Sequence, residues 1–264
     1  MADFTAKDVQ ELRKATGAGM MDAKRALQEN GGDFAAASKW LREQGLSKAA
    51  GREGRDNSQG AVAVSTTENV AAVAELKSET DFVAKSDQFS SLVQEIATLV
   101  AAKGEDAAQE KADAIDDLKV VLKENIALGQ IARFEAADGN VVDTYIHRQD
   151  GRGVNGVLVE LAGGTKDLAH EIAVQIAFTR PSYLHRDDVP EAEVAEERAT
   201  LENITRAEGK PEAALGKIVD GRLTGWFKER VLLEQNYVKD EKKTITELLG
   251  GAKVVRFTQV AIGA

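Results

Sequence analysis

The sequence predicts an α+β fold in which antiparallel sheet is covered by helices. Three observations lead there. A strand-turn-strand-helix pattern occurs twice, around 60–101 and 141–179. Residues 1–45 carry only helical periodicity, and residues 190–228 read as two charged helices around Gly209-Lys210-Pro211. Strand runs followed by helices favour antiparallel sheet over a parallel βαβ array.

The first helix starts at Thr5, which with Asp8 resembles a capping box, and Val9, Leu12 and Thr16 share one of its faces. Gly17-Ala18-Gly19 breaks it. Met20, Ala23 and Leu27 mark a second helix, closed by Gly31-Gly32. Asp33 is a good N-cap for a third, expected to bury Phe34, Ala37, Trp40 and Leu41 and to stop at Gly45. Small, charged and glycine residues then predict a linker over 46–59. GAVAVST, a TEN turn and VAAVAELKS predict a hairpin, and Phe89, Leu92, Val93, Ile96, Leu99 and Val100 recur at helical spacing behind a Ser86 or Asp87 cap. Leu118, Val121, Leu122 and Ile126 suggest another helix.

The pattern then repeats. QIARFEA and VVDTYIH are expected to pair across AADGN. VNGVLVELAG is a further strand, and Thr165 caps a helix bearing Leu168, Ala169, Ile172, Ala173 and Ile176. The stretches 190–208 and 212–228 each show a narrow apolar seam, enough for one partner helix, so they predict a projecting antiparallel hairpin. Thr244 opens a short helix before a last strand, KVVRFTQVAI. The expected division is a three-helix domain at 1–45, the linker 46–59, and core subdomains at 60–140 and 141–264, the second with the hairpin 190–228 inserted.

Composition narrows the function. The hydrophobic fraction is 43% and the charged fraction 30%, as in soluble globular proteins. A net charge of -10 argues against nucleic acid as a direct partner, because such binding depends on Lys and Arg releasing counterions. The absence of cysteine excludes disulfides and thiolate metal sites. No signal peptide or membrane-length apolar run is visible, so the cytoplasm is the expected location. G-x-S-x-G, P-loop and H-E-x-x-H motifs are missing, and His147, His170 and His185 lie on different elements. No catalytic residue, metal or cofactor is therefore expected. The 44 Asp and Glu residues will place some carboxylates together by chance, which does not support a hydrolase.

The segment SETDFVAKSD stands out. It joins a strand to a helix, is charged nearly throughout, yet holds Phe82 and Val83. Phe82 either folds beneath the next helix as a staple or stands out as an interface anchor. Met20 and Met21 pose the same question at a helix start: one can be buried and the other offered to a partner.

TGAGMMDAKRAL at 16–27 and TDFVAKSDQF at 80–89 closely resemble the two signature stretches of the elongation factor Ts family. VAAVAELKSETDFVA, KENIALGQIARFE at 123–135, TYIH at 144–147 and EGKPEAALGKIVDGRL at 208–223 resemble it in the same order, so the resemblance spans nearly the whole chain. It implies a ubiquitin-associated-like three-helix domain, a core of two similar antiparallel-sheet-plus-helix subdomains and a protruding coiled coil. It implies one partner, elongation factor Tu, on which the family exchanges GDP for GTP without being an enzyme.

Carried over by position, Thr80, Asp81, Phe82 and Val83 form the exchange element. Asp81 and Phe82 enter between two helices of the partner's GTPase domain, beside its magnesium and phosphate site. Arg13, Met20 and Met21 dock the N-terminal domain on that GTPase domain, and Ile126 and His147 belong to core surface near the same contact. The C-terminal subdomain holds a different domain of the partner. Some members carry an extra helix after the last strand; here the chain reaches Ala264 just past it. A different class, an adaptor bridging proteins without touching a nucleotide site, is the alternative, and acceleration of GDP release separates the two.

Overall fold

A computed structural model describes residues 4–263; the expected outer bounds, Met1 and Ala264, lie outside them. The chain is mixed helix and antiparallel sheet. Helices α1 (Ala6–Thr16), α2 (Met20–Glu29) and α3 (Phe34–Ala50) come first. The Thr5–Asp8 capping box forms, with the Thr5 N–H 2.6 Å from Asp8 Oδ2, and Gly17 ends α1 in the left-handed conformation that glycine adopts without penalty. Val9, Leu12, Ala23, Ala26, Leu27, Ala37 and Leu41 close a small core between the three helices.

Two expectations for α3 are corrected. Phe34 is exposed, since at the first helical position its side chain lies beyond the packed stripe. Gly45 does not stop the helix, and the expected linker is helical as far as Ala50. Gly45 is instead the contact point with α6 (Ala112–Leu122), where an added Cβ would meet the Val120 methyls at 2.4 and 2.9 Å. Arg42 reinforces the junction through Asp117 and Asp113, at 2.9 and 3.3 Å. Gly45→Ala should therefore lower stability by about 1–3 kcal/mol through overpacking. This is opposite in sign to the usual gain from Gly→Ala in a helix, and a thermal melt reads it.

The core holds two three-stranded antiparallel sheets. One is ordered β1 (Gln59–Thr66), β2 (Val70–Ser78), β3 (Ala127–Glu135); the other β4 (Asn140–Gln149), β5 (Arg152–Ala162), β8 (Lys253–Ala261). Side chains alternate along each strand. Ala61, Ala63, Ala72, Ala74 and Leu76 face α5 (Asp87–Lys103) and α6, while Val62, Val64, Ala71 and Val73 face the second sheet, meeting Val142, Leu158 and Val260. On the far side Val157, Val159 and Leu161 pack on α7 (Lys166–Thr179). The layers thus run helix, sheet, sheet, helix, and the inner strands are buried on both faces. Gly156 permits close approach of the sheets, since a Cβ there would lie 2.8 Å from Val62.

The expected β3–β4 pairing does not occur. Both strands form, but β3 pairs with β2 and β4 with β5. The turn between them steps from one sheet layer to the other, a distance of roughly 10 Å. Glu160 on β5 fastens this step, accepting from the Ala137 N–H (3.0 Å), Asn140 Nδ2 (2.8 Å) and Arg256 Nε (2.7 Å). Ile126, expected on a helix, follows the end of α6 and is fully buried.

Helices α8 (Glu191–Ala207) and α9 (Glu212–Arg230) form an antiparallel hairpin. Leu215, Val219, Leu223 and Phe227 fill its seam, and most other positions are exposed. A short hairpin, β6 (Asn236–Tyr237) and β7 (Asp240–Thr244), and α10 (Ile245–Leu249) return the chain to β8; sequence patterning did not anticipate β6 and β7.

Candidate functional site

The segment after β2 is tightly built. Thr80 N-caps a one-turn helix, α4 (Asp81–Ala84), and Ser86 then caps α5. One helical turn sends successive side chains in different directions. Ala84 is buried, Val83 packs half-buried against the core between the first sheet and α5, and Phe82 points outward with 82% of its surface exposed. The staple alternative fails on that exposure.

The turn is fixed from behind. Glu124 Oε2 accepts the backbone N–H groups of Glu79 and Thr80, each at 3.0 Å, and Oε1 accepts the Thr80 hydroxyl at 2.5 Å. Glu79 Oε1 in turn accepts the Asn125 N–H at 2.6 Å, and Asn125 Nδ2 donates to the carbonyls of Glu53 and Arg55. Charge-assisted bonds of this kind are short and strong. The exposed aromatic therefore sits on a rigid base.

Asp81 is held at its flank. Lys85 Nζ lies 2.6 Å from Asp81 Oδ2 and 3.1 Å from Asp150 Oδ2. The hydrogen bond from Lys85 keeps the Asp81 carboxyl below the ordinary carboxylate range, so it is charged at neutral pH. The same two carboxylates raise Lys85. Asp150 and Gly151 form the two-residue β4–β5 turn, both with positive φ (51° and 85°), as an Asp-Gly hairpin turn requires. Lys85 thus ties the T-D-F-V turn to the tip of the second sheet.

His147 is exposed on that second hairpin, facing Asn155 across β4–β5. Thr80–Val83 and the His147 hairpin are accordingly brought to one end of the molecule. Ile126 is corrected as a contact residue: with no exposed surface it supports the turn from inside, and Glu124 and Asn125 carry the visible role at that position. Arg13 is exposed on α1, and at the start of α2 Met20 is 46% and Met21 71% exposed, so neither methionine is buried. No hydrogen bond among the described residues joins these three to the turn.

Glu124, Lys85 and Asp150 were missed from sequence. Lys85 carried a signal, the i,i+4 spacing from Asp81. Glu124 lies 44 residues from Thr80 and carried none. Among the described residues no cluster of three His, Asp or Glu side chains could hold a metal ion. Among the described residues no helix is long and apolar enough to cross a membrane.

The fold and the turn define a class: an α+β protein that carries a rigid aromatic–acid projection of the kind interfaces use as an anchor. The comparisons with known proteins particularise it. The family model described as elongation factor TS matches residues 79–264. The chain is 43% identical over 278 residues to "Elongation factor Ts" of Clavibacter michiganensis subsp. michiganensis (strain NCPPB 382), covering all of both chains. It is 44% identical over 281 residues to "Elongation factor Ts" of Mycobacterium avium (strain 104), covering all of this chain and 99% of the relative. "Elongation factor Ts" of Acidothermus cellulolyticus (strain ATCC 43068 / DSM 8971 / 11B) is 43% identical with the same coverage. The chain belongs to the elongation factor Ts family.

Proposed function

We propose that this chain is the guanine nucleotide exchange factor of translation elongation. It binds elongation factor Tu carrying GDP, inserts the Asp81–Phe82 tip near the magnesium and phosphate site, and is displaced after GTP binds. It performs no covalent chemistry and works in the cytoplasm. The observation that carries this reading is Phe82, a large apolar side chain held out in solvent on a turn anchored by Glu124.

An exchange factor needs only to bind the empty partner more tightly than the GDP-bound one. Coupling is reciprocal, so each tenfold loss of GDP affinity requires about 1.4 kcal/mol of differential contact. Full burial of a Phe is worth about 1.5–3 kcal/mol, or roughly one to two decades. Asp81, kept ionised by Lys85, brings negative charge towards a diphosphate and a magnesium ion whose near-octahedral shell tolerates little displacement. The rest of the footprint supplies affinity and aims the tip. In this reading the three-helix region expected at 1–45 is the ubiquitin-associated-like docking domain, the two stacked sheets are two similar subdomains, and α8–α9 is the coiled coil inserted in the second.

Stopped-flow release of fluorescent GDP from elongation factor Tu, with and without this chain, tests the proposal. Unchanged release would favour the adaptor alternative. Changing Met20 and Met21 together to Asp should weaken the complex by about tenfold or more while the helical signal persists, because both side chains are already solvated in the free protein. Loss of helicity in that variant would assign the pair to the fold instead.

A further inference from the structure

Phe178 is, after Phe82, the most exposed aromatic among the described residues, with 76% of its surface exposed. The buried stripe of α7 runs through Ala169, Ile172, Ala173 and Ile176. Phe178 lies about 200° around the helix from Ile176, on the face that points away from the core. Its neighbours are fixed. The Ala177 carbonyl accepts from Asn155 Nδ2 at 3.0 Å, and the Thr179 hydroxyl lies 2.8 Å from both the Gln175 carbonyl and Gln235 Oε1. The helix ends one residue later at Thr179, with Arg180 as its C-cap. Phe178 is thus an aromatic on a rigid turn, as Phe82 is.

The two stand at the same end of the molecule. Phe178 borders a cavity of about 530 Å³ shared with His147, Gln149, Arg152 and Arg180. Arg152 begins the strand that follows the Asp150–Gly151 turn, and Asp150 reaches Asp81 through Lys85. The surface from Phe82 to Phe178 is therefore continuous across the β4–β5 hairpin. Arg180 is exposed beside Phe178, while the Arg152 guanidinium is turned inward onto the Gly60 carbonyl (2.6 Å) and Gln59 Oε1 (3.0 Å).

We propose that Phe178 is a second anchor for the same GTPase, and that it contributes affinity without driving nucleotide release. The complementary surface would be an apolar depression edged by a carboxylate, which pairs with the exposed Arg180. This rests on the exchange reading above and extends it to a residue outside the signature stretches. The two aromatics then divide the work: Phe82 acts on the nucleotide site, and Phe178 holds the factor in place.

The test compares wild type with Phe178→Ala, Phe178→Leu and Phe82→Ala. One readout is the Kd for nucleotide-free elongation factor Tu; the other is the rate of fluorescent GDP release at saturating factor. Phe178→Ala should raise Kd by roughly tenfold or more, with Leu recovering most of the loss. Its saturated release rate should stay within about twofold of wild type, unlike that of Phe82→Ala. An unchanged Kd for Phe178→Ala with an unaltered melting curve overturns the proposal. So does a fall in self-association as its sole effect, because the occupant would then be a second copy of this chain. Wild type that leaves GDP release unchanged defeats the exchange reading instead, before any variant is compared.

Discussion

Phe82→Ala will slow GDP release from elongation factor Tu by on the order of ten- to a hundredfold at saturating factor, with no loss of stability. The two halves of this expectation have one origin. Phe82 is 82% exposed, so truncating it removes almost no packing from the free protein and leaves Val83 and Ala84 in the core. The energy it can contribute becomes available only when a partner covers it. Stopped-flow release and a thermal melt on the same preparation read both halves. An unaltered rate in a folded variant would sink the proposed role of the tip. Asp81→Ala should act in the same direction, because it removes the charge brought to the phosphate site. Its effect on the fold is small, since the pair with Lys85 lies at the surface.

Glu160→Ala should destabilise the protein by about 2–3 kcal/mol, the range expected when a buried carboxylate that gathers several hydrogen bonds is lost. Glu160 is 2% exposed and joins three parts of the chain: the crossover turn at Ala137 and Asn140, β5, and Arg256 of β8. Arg256 also donates to the Glu135 carbonyl and lies 4.4 Å above the Phe134 ring, which belongs to the first sheet. Losing Glu160 therefore loosens the step between the sheets rather than a single side-chain contact. Burial alone would raise its carboxyl. The bonds from Asn140, Ala137 and Arg256 outweigh that and hold it below the ordinary value of 4.5. A depressed carboxyl stabilises the fold at pH above its unfolded value, and this contribution disappears as pH falls through the folded value. The wild-type advantage over Glu160→Ala should therefore be full at neutral pH and shrink in acid below 4.5. Urea titrations at several pH values measure it.

Much of this protein was legible residue by residue. Thr5, Asp33, Ser86, Thr165 and Thr244 cap helices as their residue types predict, because an N-cap acts on backbone only two or three residues away. The stripes of α5 and α7 and the hairpin around Gly209 are likewise local periodicities. The T-D-F-V stretch was visible as a string, but its posture was not. Whether Phe82 turned in or out depended on Glu124, an acceptor brought close only by the folded chain.

The sequence by itself determined the capped helix starts and the main strands, which faces are apolar, and which short stretches mark the family. Tertiary structure alone decided that β3 and β4 lie in different sheets, that Gly45 continues a helix against Val120, that Ile126 is inside, and that Phe82 and Phe178 share one end of the molecule. The physical reason is range. Capping and amphipathic periodicity act over a few residues and can be read along the chain. Sheet partner, close approach and exposure are set by residues tens of positions away, which meet only once the layers have packed.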